Sequence, residues 1–121
     1  MVKIINTNNN IIIAELTDEH FVISQPQDVL DIIGNLIPIN CYKIIINESN
    51  LHPDFFDLKT KLAGDILQKF SNYNVQLAIV GDFSKYESKN LRDFIYESNK
   101  ANIVFFANDK YSALSKLGNS I

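Results

Sequence analysis

The 121-residue chain reads as an α/β protein, with a mostly parallel central sheet, an antiparallel hairpin at its amino end and alternating helices. Three observations predict this. Continuous β-branched or aromatic runs at 42–46, 75–80 and 102–107 are too short for helices and lack polar alternation, as strands covered on both faces do. Between and after these runs, apolar residues recur at helical spacing. Ahead of them, two β-rich runs flank an asparagine cluster, the signature of a hairpin.

In chain order, Val2 to Asn6 and Ile11 to Leu16 are the hairpin strands. Thr7, Asn8, Asn9 and Asn10 make the turn, because asparagine tolerates positive φ and forms local side-chain turns. His20 to Ile23 is expected to be a short extended segment. Pro26 suits the first turn of a helix, and Val29, Leu30, Ile32, Ile33, Leu36 and Ile37 form its apolar stripe. Pro38 ends it. Tyr42 to Ile46 is a buried strand, and Asn47 to His52 its exit loop.

Asp54 is expected to cap a long helix running to Phe70, with Asp57 near the positive helix end. Leu58, Leu62, Ile66 and Phe70 repeat every fourth residue along it. Gly64 lies in mid-helix, where glycine costs about 1 kcal/mol relative to alanine, so another backbone is expected to approach the Ala63–Gly64 face. Asp57 with Lys61 and Asp65 with Lys69 are acid-before-base pairs that mark a solvated face. Ser71 to Asn74 turns into the strand Val75 to Val80, which exits through Gly81 to Ser84. Leu91, Phe94, Ile95 and Ser98 define a helix capped by Ser88 or Ser84. After the last strand, Asn108 and Asp109 cap a helix carrying Tyr111, Ala113, Leu114 and Leu117 and closed by Gly118.

Composition narrows the function. A net charge of -3 and a lone arginine, Arg92, argue against a phosphate-neutralising nucleic-acid surface. The single cysteine, Cys41, excludes an intrachain disulfide, and without a neighbouring base or cation it is expected to be a buried, inert thiol. No apolar run approaches the roughly 18 residues of a membrane helix, and the amino end lacks the pattern of a signal peptide. A cytoplasmic protein of one domain spanning 1–121, with no membrane or nucleic-acid partner, is expected.

In open α/β sheets, ligands sit beyond the carboxyl ends of the strands. This rule nominates the loops 47–57, 81–89 and 107–110, with Glu48, Ser49, His52, Asp54, Asp82, Ser84, Lys85, Asn108 and Asp109 as convergent polar groups, joined by Lys89 and Arg92. Most have plainer roles available: Asp54, Ser88 and Asp109 as caps, Asp82 as a turn residue, His52 as a loop residue, and Lys85, Lys89 and Arg92 as a solvated face. Tyr86 and Tyr96 read as rim or packing aromatics. No dinucleotide, P-loop, zincin or nucleophile-elbow motif occurs, so no catalytic residue, metal ligand or cofactor is assigned.

Phe55–Phe56 is unusual because adjacent aromatics cannot share one helix stripe; one is expected at a helix entry, a lid or a partner surface, with packing of both under the flanking loop as the alternative. The leading expectation is a non-enzymatic regulatory or interaction module. Its surface comprises Glu48, Asp54, Phe55, Phe56, Asp57, Asp82, Phe83, Ser84, Lys85, Lys89 and Arg92, and its partner is an unidentified protein. A homodimer is left open. The alternative is a small-molecule or nucleotide-binding protein, or weak enzyme, lined by Asp82, Ser84, Lys85, Lys89 and Arg92.

The central block, with FFDLKTxLAGxILQKF at 55–70, LAIVGDFSxY at 77–86 and LRDFIYE at 91–97, resembles the uncharacterised bacterial family DUF4180. The closing stretch IVFFANDKYSALSKL extends the likeness over nearly the whole chain. That family implies no activity and supplies no catalytic residues. More distantly, the layout is similar to STAS domains, the fold of anti-sigma-factor antagonists, which implies a STAS-like α/β fold. The STAS resemblance places a phosphorylatable serine at a helix start, but here that stretch reads Asp54-Phe55-Phe56-Asp57, so phosphorylation switching is not carried over.

Overall fold

A computed structural model of the chain describes residues 2–6, 10–101 and 103–119. Five strands form one sheet in sequential order: β1 (Val2–Asn6), β2 (Ile12–Leu16), β3 (Lys43–Asn47), β4 (Gln76–Val80) and β5 (Val104–Ala107). β1 runs antiparallel to β2, and the remaining pairs are parallel. The helices are α1 (Pro26–Leu36), α2 (Leu62–Asn72), α3 (Lys89–Lys100) and α4 (Lys110–Asn119). The architecture is therefore α/β with a mixed sheet, as the alternation of elements requires.

Strand order and handedness decide the layers. Right-handed crossovers between strands laid down in sequence deliver every connecting helix to the same face. On that face Ala14, Leu16, Ile44, Ile46, Leu77, Ile79 and Val104 meet Val29, Ile32, Ile33 and Leu36 of α1 and Ala63, Ile66 and Phe70 of α2. Phe94 and Ile95 of α3 pack at its margin. The intervening strand residues Ile13, Ile45, Ala78, Phe105 and Ala107 face the other way, under Ala113 and Leu117 of α4. The uninterrupted apolar runs of β3 and β4 are explained by this cover on both faces.

Local chemistry accounts for most boundaries. Gln25 caps α1 with Pro26 in its first turn, and a 3₁₀ turn at Ile37–Ile39 carries Pro38 beyond its end. Ser88, not Ser84, caps α3 by accepting from the Leu91 N–H at 3.2 Å. The Asp109 carboxylate accepts from the Ser112 N–H at 2.7 Å at the start of α4. α4 runs through Gly118 to Asn119, so the glycine lies inside the helix it was expected to close. Cys41 is buried, as expected of an inert thiol. The expected segment His20–Ile23 reduces to a single bridge between Ile23 and Leu51. In the hairpin turn, Asn10 has a φ of 60°, while Thr7, Asn8 and Asn9 lie outside the described residues, as does Asn102.

The long helix expected from Asp54 is corrected. Two 3₁₀ turns, Pro53–Phe56 and Leu58–Thr60, precede α2, and Lys61 between them and the helix has a φ of 65°. Side-chain hydrogen bonds outcompete helix continuation here. Thr60 Oγ1 donates to the carbonyls of Asp54 and Asp57 at 2.7 and 2.8 Å and accepts from the Leu62 N–H at 3.2 Å. Asp57 accordingly caps a 3₁₀ turn through the Lys59 N–H, and Asp54 does not cap α2. The backbone approach expected at Gly64 is also absent, since a Cβ there would meet nothing within 4 Å.

Among the described residues, no helix is long and apolar enough to cross a membrane.

Candidate functional site

The loops after β3 and β4 meet beyond the carboxyl ends of those strands, at the edge the parallel arrangement nominates. Between them lies an open cavity of about 380 Å³, lined mainly by Val22, Leu51, Pro53 and Phe56, with Glu48, Ser49, Lys85 and Tyr86 completing it. This volume falls in the range of small-molecule sites, roughly 300–1,000 Å³.

Glu48 is the first residue after β3, and its side chain is only 16% exposed. Two donors converge on one of its carboxylate oxygens: the Tyr86 hydroxyl, and Lys85 Nζ at 2.7 Å. The other oxygen, Oε1, accepts no hydrogen bond among the described residues. Burial, followed by the hydrogen bond and charge of Glu48, raises the Tyr86 phenol well above its ordinary value. Tyr86 therefore stays a neutral donor. Gly81 makes this packing possible, since a Cβ there would stand 2.6 Å from Glu48 Cβ and 2.7 Å from Oε1.

The cavity floor is aromatic. Phe56 stacks on Tyr86 with ring centroids 4.9 Å apart and meets Phe55 edge-on at 5.0 Å. Phe83 reaches Phe56 at 6.2 Å on one side and Phe106 of β5 at 5.2 Å on the other. Such contacts stiffen the loops that carry the polar groups.

The cavity wall is held from behind by Asn50, which is fully buried. Its side-chain oxygen accepts from the Asn47 N–H at 2.9 Å, and its amide donates to the carbonyls of Asp18 and Phe21 at 3.0 and 2.9 Å. These bonds, with Ile23 N–H to the Asn50 carbonyl and His52 N–H to the Ile23 carbonyl, lock the loop after β3 to the segment before α1. Val22 and Leu51 thereby face the same cavity.

Of the residues nominated from sequence, Glu48, Ser49, Phe56 and Lys85 come together here. Phe55 does not: it is 0% exposed and belongs to the core, so it is removed from the partner surface. Phe83 is likewise buried. Phe55 lies in the core, while Phe56 is half-buried, stacks on Tyr86 and lines the cavity.

The other polar candidates find local roles. Asp82 is exposed and accepts from the Ser84 hydroxyl at 2.6 Å and the Ser84 N–H at 3.1 Å, which, with Lys85 nearby, lowers its carboxyl below the usual range. Lys89 pairs with Asp93 at 3.0 Å along α3, and Arg92 is exposed on the same helix. Asp54 donates its N–H to His52 Nδ1 at 3.0 Å. None of these lines the cavity. Val22, Leu51, Pro53 and the scaffold residue Asn50 were not nominated. An apolar loop residue carries no chemical signal, and a buried asparagine looks like any turn asparagine until its partners, about thirty residues away, are placed.

Among the described residues, no group of three histidine, cysteine, aspartate or glutamate side chains could hold a metal ion. A family model described as a domain of unknown function, DUF4180, matches residues 8–117. No curated protein matches the chain, and no solved structure does.

Proposed function

Because the chain belongs to the DUF4180 family, whose description names no activity, we propose its function from the geometry: it is a small-molecule-binding protein with its site at the carboxyl ends of β3 and β4. One observation carries this reading: an apolar cavity of about 380 Å³ ends on a mostly buried carboxylate held by an ammonium and a phenol. Apolar walls with a few convergent polar groups are the usual composition of a ligand site. The walls would take an apolar body, and the Glu48–Lys85 end would orient its polar group. The fold supplies rigidity through the Asn50 hydrogen bonds and the Phe55–Phe56–Tyr86 stack.

A survey of small soluble fragments by amide chemical-shift mapping on the isotopically labelled full chain tests this. Binders should shift Ser49, Phe56, Lys85 and Tyr86 together, and Phe56→Ala should weaken them without unfolding the protein. A survey whose binders all map elsewhere, or that yields none, would refute the assignment.

A further inference from the structure

Resting on that reading of the cavity, we propose that it takes a zwitterionic molecule with an apolar body, of the chemistry of a free α-amino acid bearing an apolar side chain. The argument begins with the two opposite charges in one wall, 2.7 Å apart at Lys85 Nζ and Glu48 Oε2. Their exposures differ sharply, 56% for the Lys85 side chain and 16% for Glu48. Lys85 can swing into water at little expense, whereas Glu48 cannot be left without a cation, since an uncompensated buried charge is strongly unfavourable. A ligand ammonium that takes the place of Lys85 on Glu48 removes this difficulty.

The displaced Lys85 then needs an anion, and a carboxylate one carbon away from the ammonium provides it. The exchange conserves charge on both sides: one ion pair opens and two form. Glu48 Oε1 strengthens the case, because it accepts nothing among the described residues and is not sealed from the surface. It can take a second ammonium N–H while the Tyr86 hydroxyl remains on Oε2. The apolar body then lies among Val22, Leu51, Pro53 and Phe56.

Single-charge analogues fit worse for different reasons. An amine alone satisfies Glu48 but leaves Lys85 unpaired in water. An acid alone draws Lys85 away and leaves Glu48 with only a phenol. The zwitterion is therefore favoured over both, and a charge-assisted hydrogen bond of about 1.4 kcal/mol corresponds to about tenfold in affinity.

Isothermal titration of the full chain with leucine, methionine and phenylalanine, and with phenethylamine and 3-phenylpropionate, is the test. The expected result is saturable binding of at least one amino acid, about tenfold weaker binding of the amine and still weaker binding of the acid. Lys85→Met should erase the advantage of the amino acid over the amine, and Glu48→Gln should abolish the binding of both. Lys85→Met leaves Glu48 with only the Tyr86 hydroxyl, so where either variant fails to fold, the ranking of amino acid, amine and acid on the native chain decides. The proposal is overturned by an amine that binds as tightly as the amino acid to the native chain, by an advantage of the amino acid over the amine that survives Lys85→Met, or by no saturable heat from any amino acid at millimolar concentration. If fragments still map to the cavity when amino acids do not bind, the zwitterion is wrong and the cavity assignment stands.

Discussion

Glu48 packs against Gly81 and receives the Tyr86 hydroxyl on the oxygen that also holds Lys85, so the phenol must keep its proton for the cluster to persist. This has a consequence at high pH. The folded Tyr86 pKa lies above the unfolded value near 10, with burial as the largest cause and Glu48 next. Below pH ~10 both states hold the proton, and the stability linked to Tyr86 is fully present; as pH rises from there towards the folded pKa, the unfolded chain releases a proton that the folded one retains, and that stability is lost. Urea unfolding between pH 8.5 and 11, on the order of that range, should show a steeper alkaline decline for the native chain than for Tyr86→Phe. In ultraviolet titration, one of the five tyrosines should ionise late, and Tyr86→Phe should remove that late step. Equal alkaline slopes in the two proteins would contradict the part-buried phenol–carboxylate contact.

At the level of elements, two glycines are expected to behave in opposite ways. Gly64 lies in α2 with open space where a Cβ would go, so Gly64→Ala should gain the helix-propensity difference, about 0.5–1 kcal/mol. Gly81 follows β4 against the base of the Glu48 side chain, and Gly81→Ala should lose about 1–3 kcal/mol by overpacking. Thermal melts of the two variants should move in opposite directions, and a lower melting temperature for Gly64→Ala would reinstate a close contact there. The same pair shows what was legible in the chain. Periodicity located α2 and its buried stripe, because 3.6-residue spacing is written in the residues. Its start was misplaced because Thr60 chooses the carbonyls of Asp54 and Asp57, and Lys61 then adopts positive φ; neither choice alters the apolar pattern that Leu58 and Leu62 continue. The loops of the site were likewise legible from the parallel-sheet rule, but which side chains meet there depends on distant contacts. Glu48 and Tyr86 are 38 positions apart.

Across the whole molecule, the two faces of the sheet are covered unequally. α1 to α3 share one face, whereas among the described residues α4 alone covers the other, through Ala113 and Leu117 with Leu114 at its margin. Alternation of strands and helices was enough to anticipate the mixed sheet. The lone helix on the far side follows only once α4 is seen to have no sixth strand after it among the described residues. Polar tethers compensate for its small apolar footprint. Lys43 Nζ donates to the Leu117 carbonyl at 2.6 Å, where a cation also suits the negative end of the helix, and Lys110 pairs with Glu15 at 2.9 Å near the other end. Segments with few buried contacts open at lower free energy than core strands, and among the described residues of α4 only Ala113 and Leu117 are fully buried. Native-state hydrogen exchange should therefore show α4 amides exchanging by a separate opening, ahead of those of β3 and β4. Lys43→Met removes a charge-assisted bond at a partly exposed site, a loss of about 1 kcal/mol, so α4 exchange should quicken about fivefold. If α4 amides exchange only together with those of β3 and β4 in both proteins, the helix opens solely with the whole molecule, and the tethers are not what hold it.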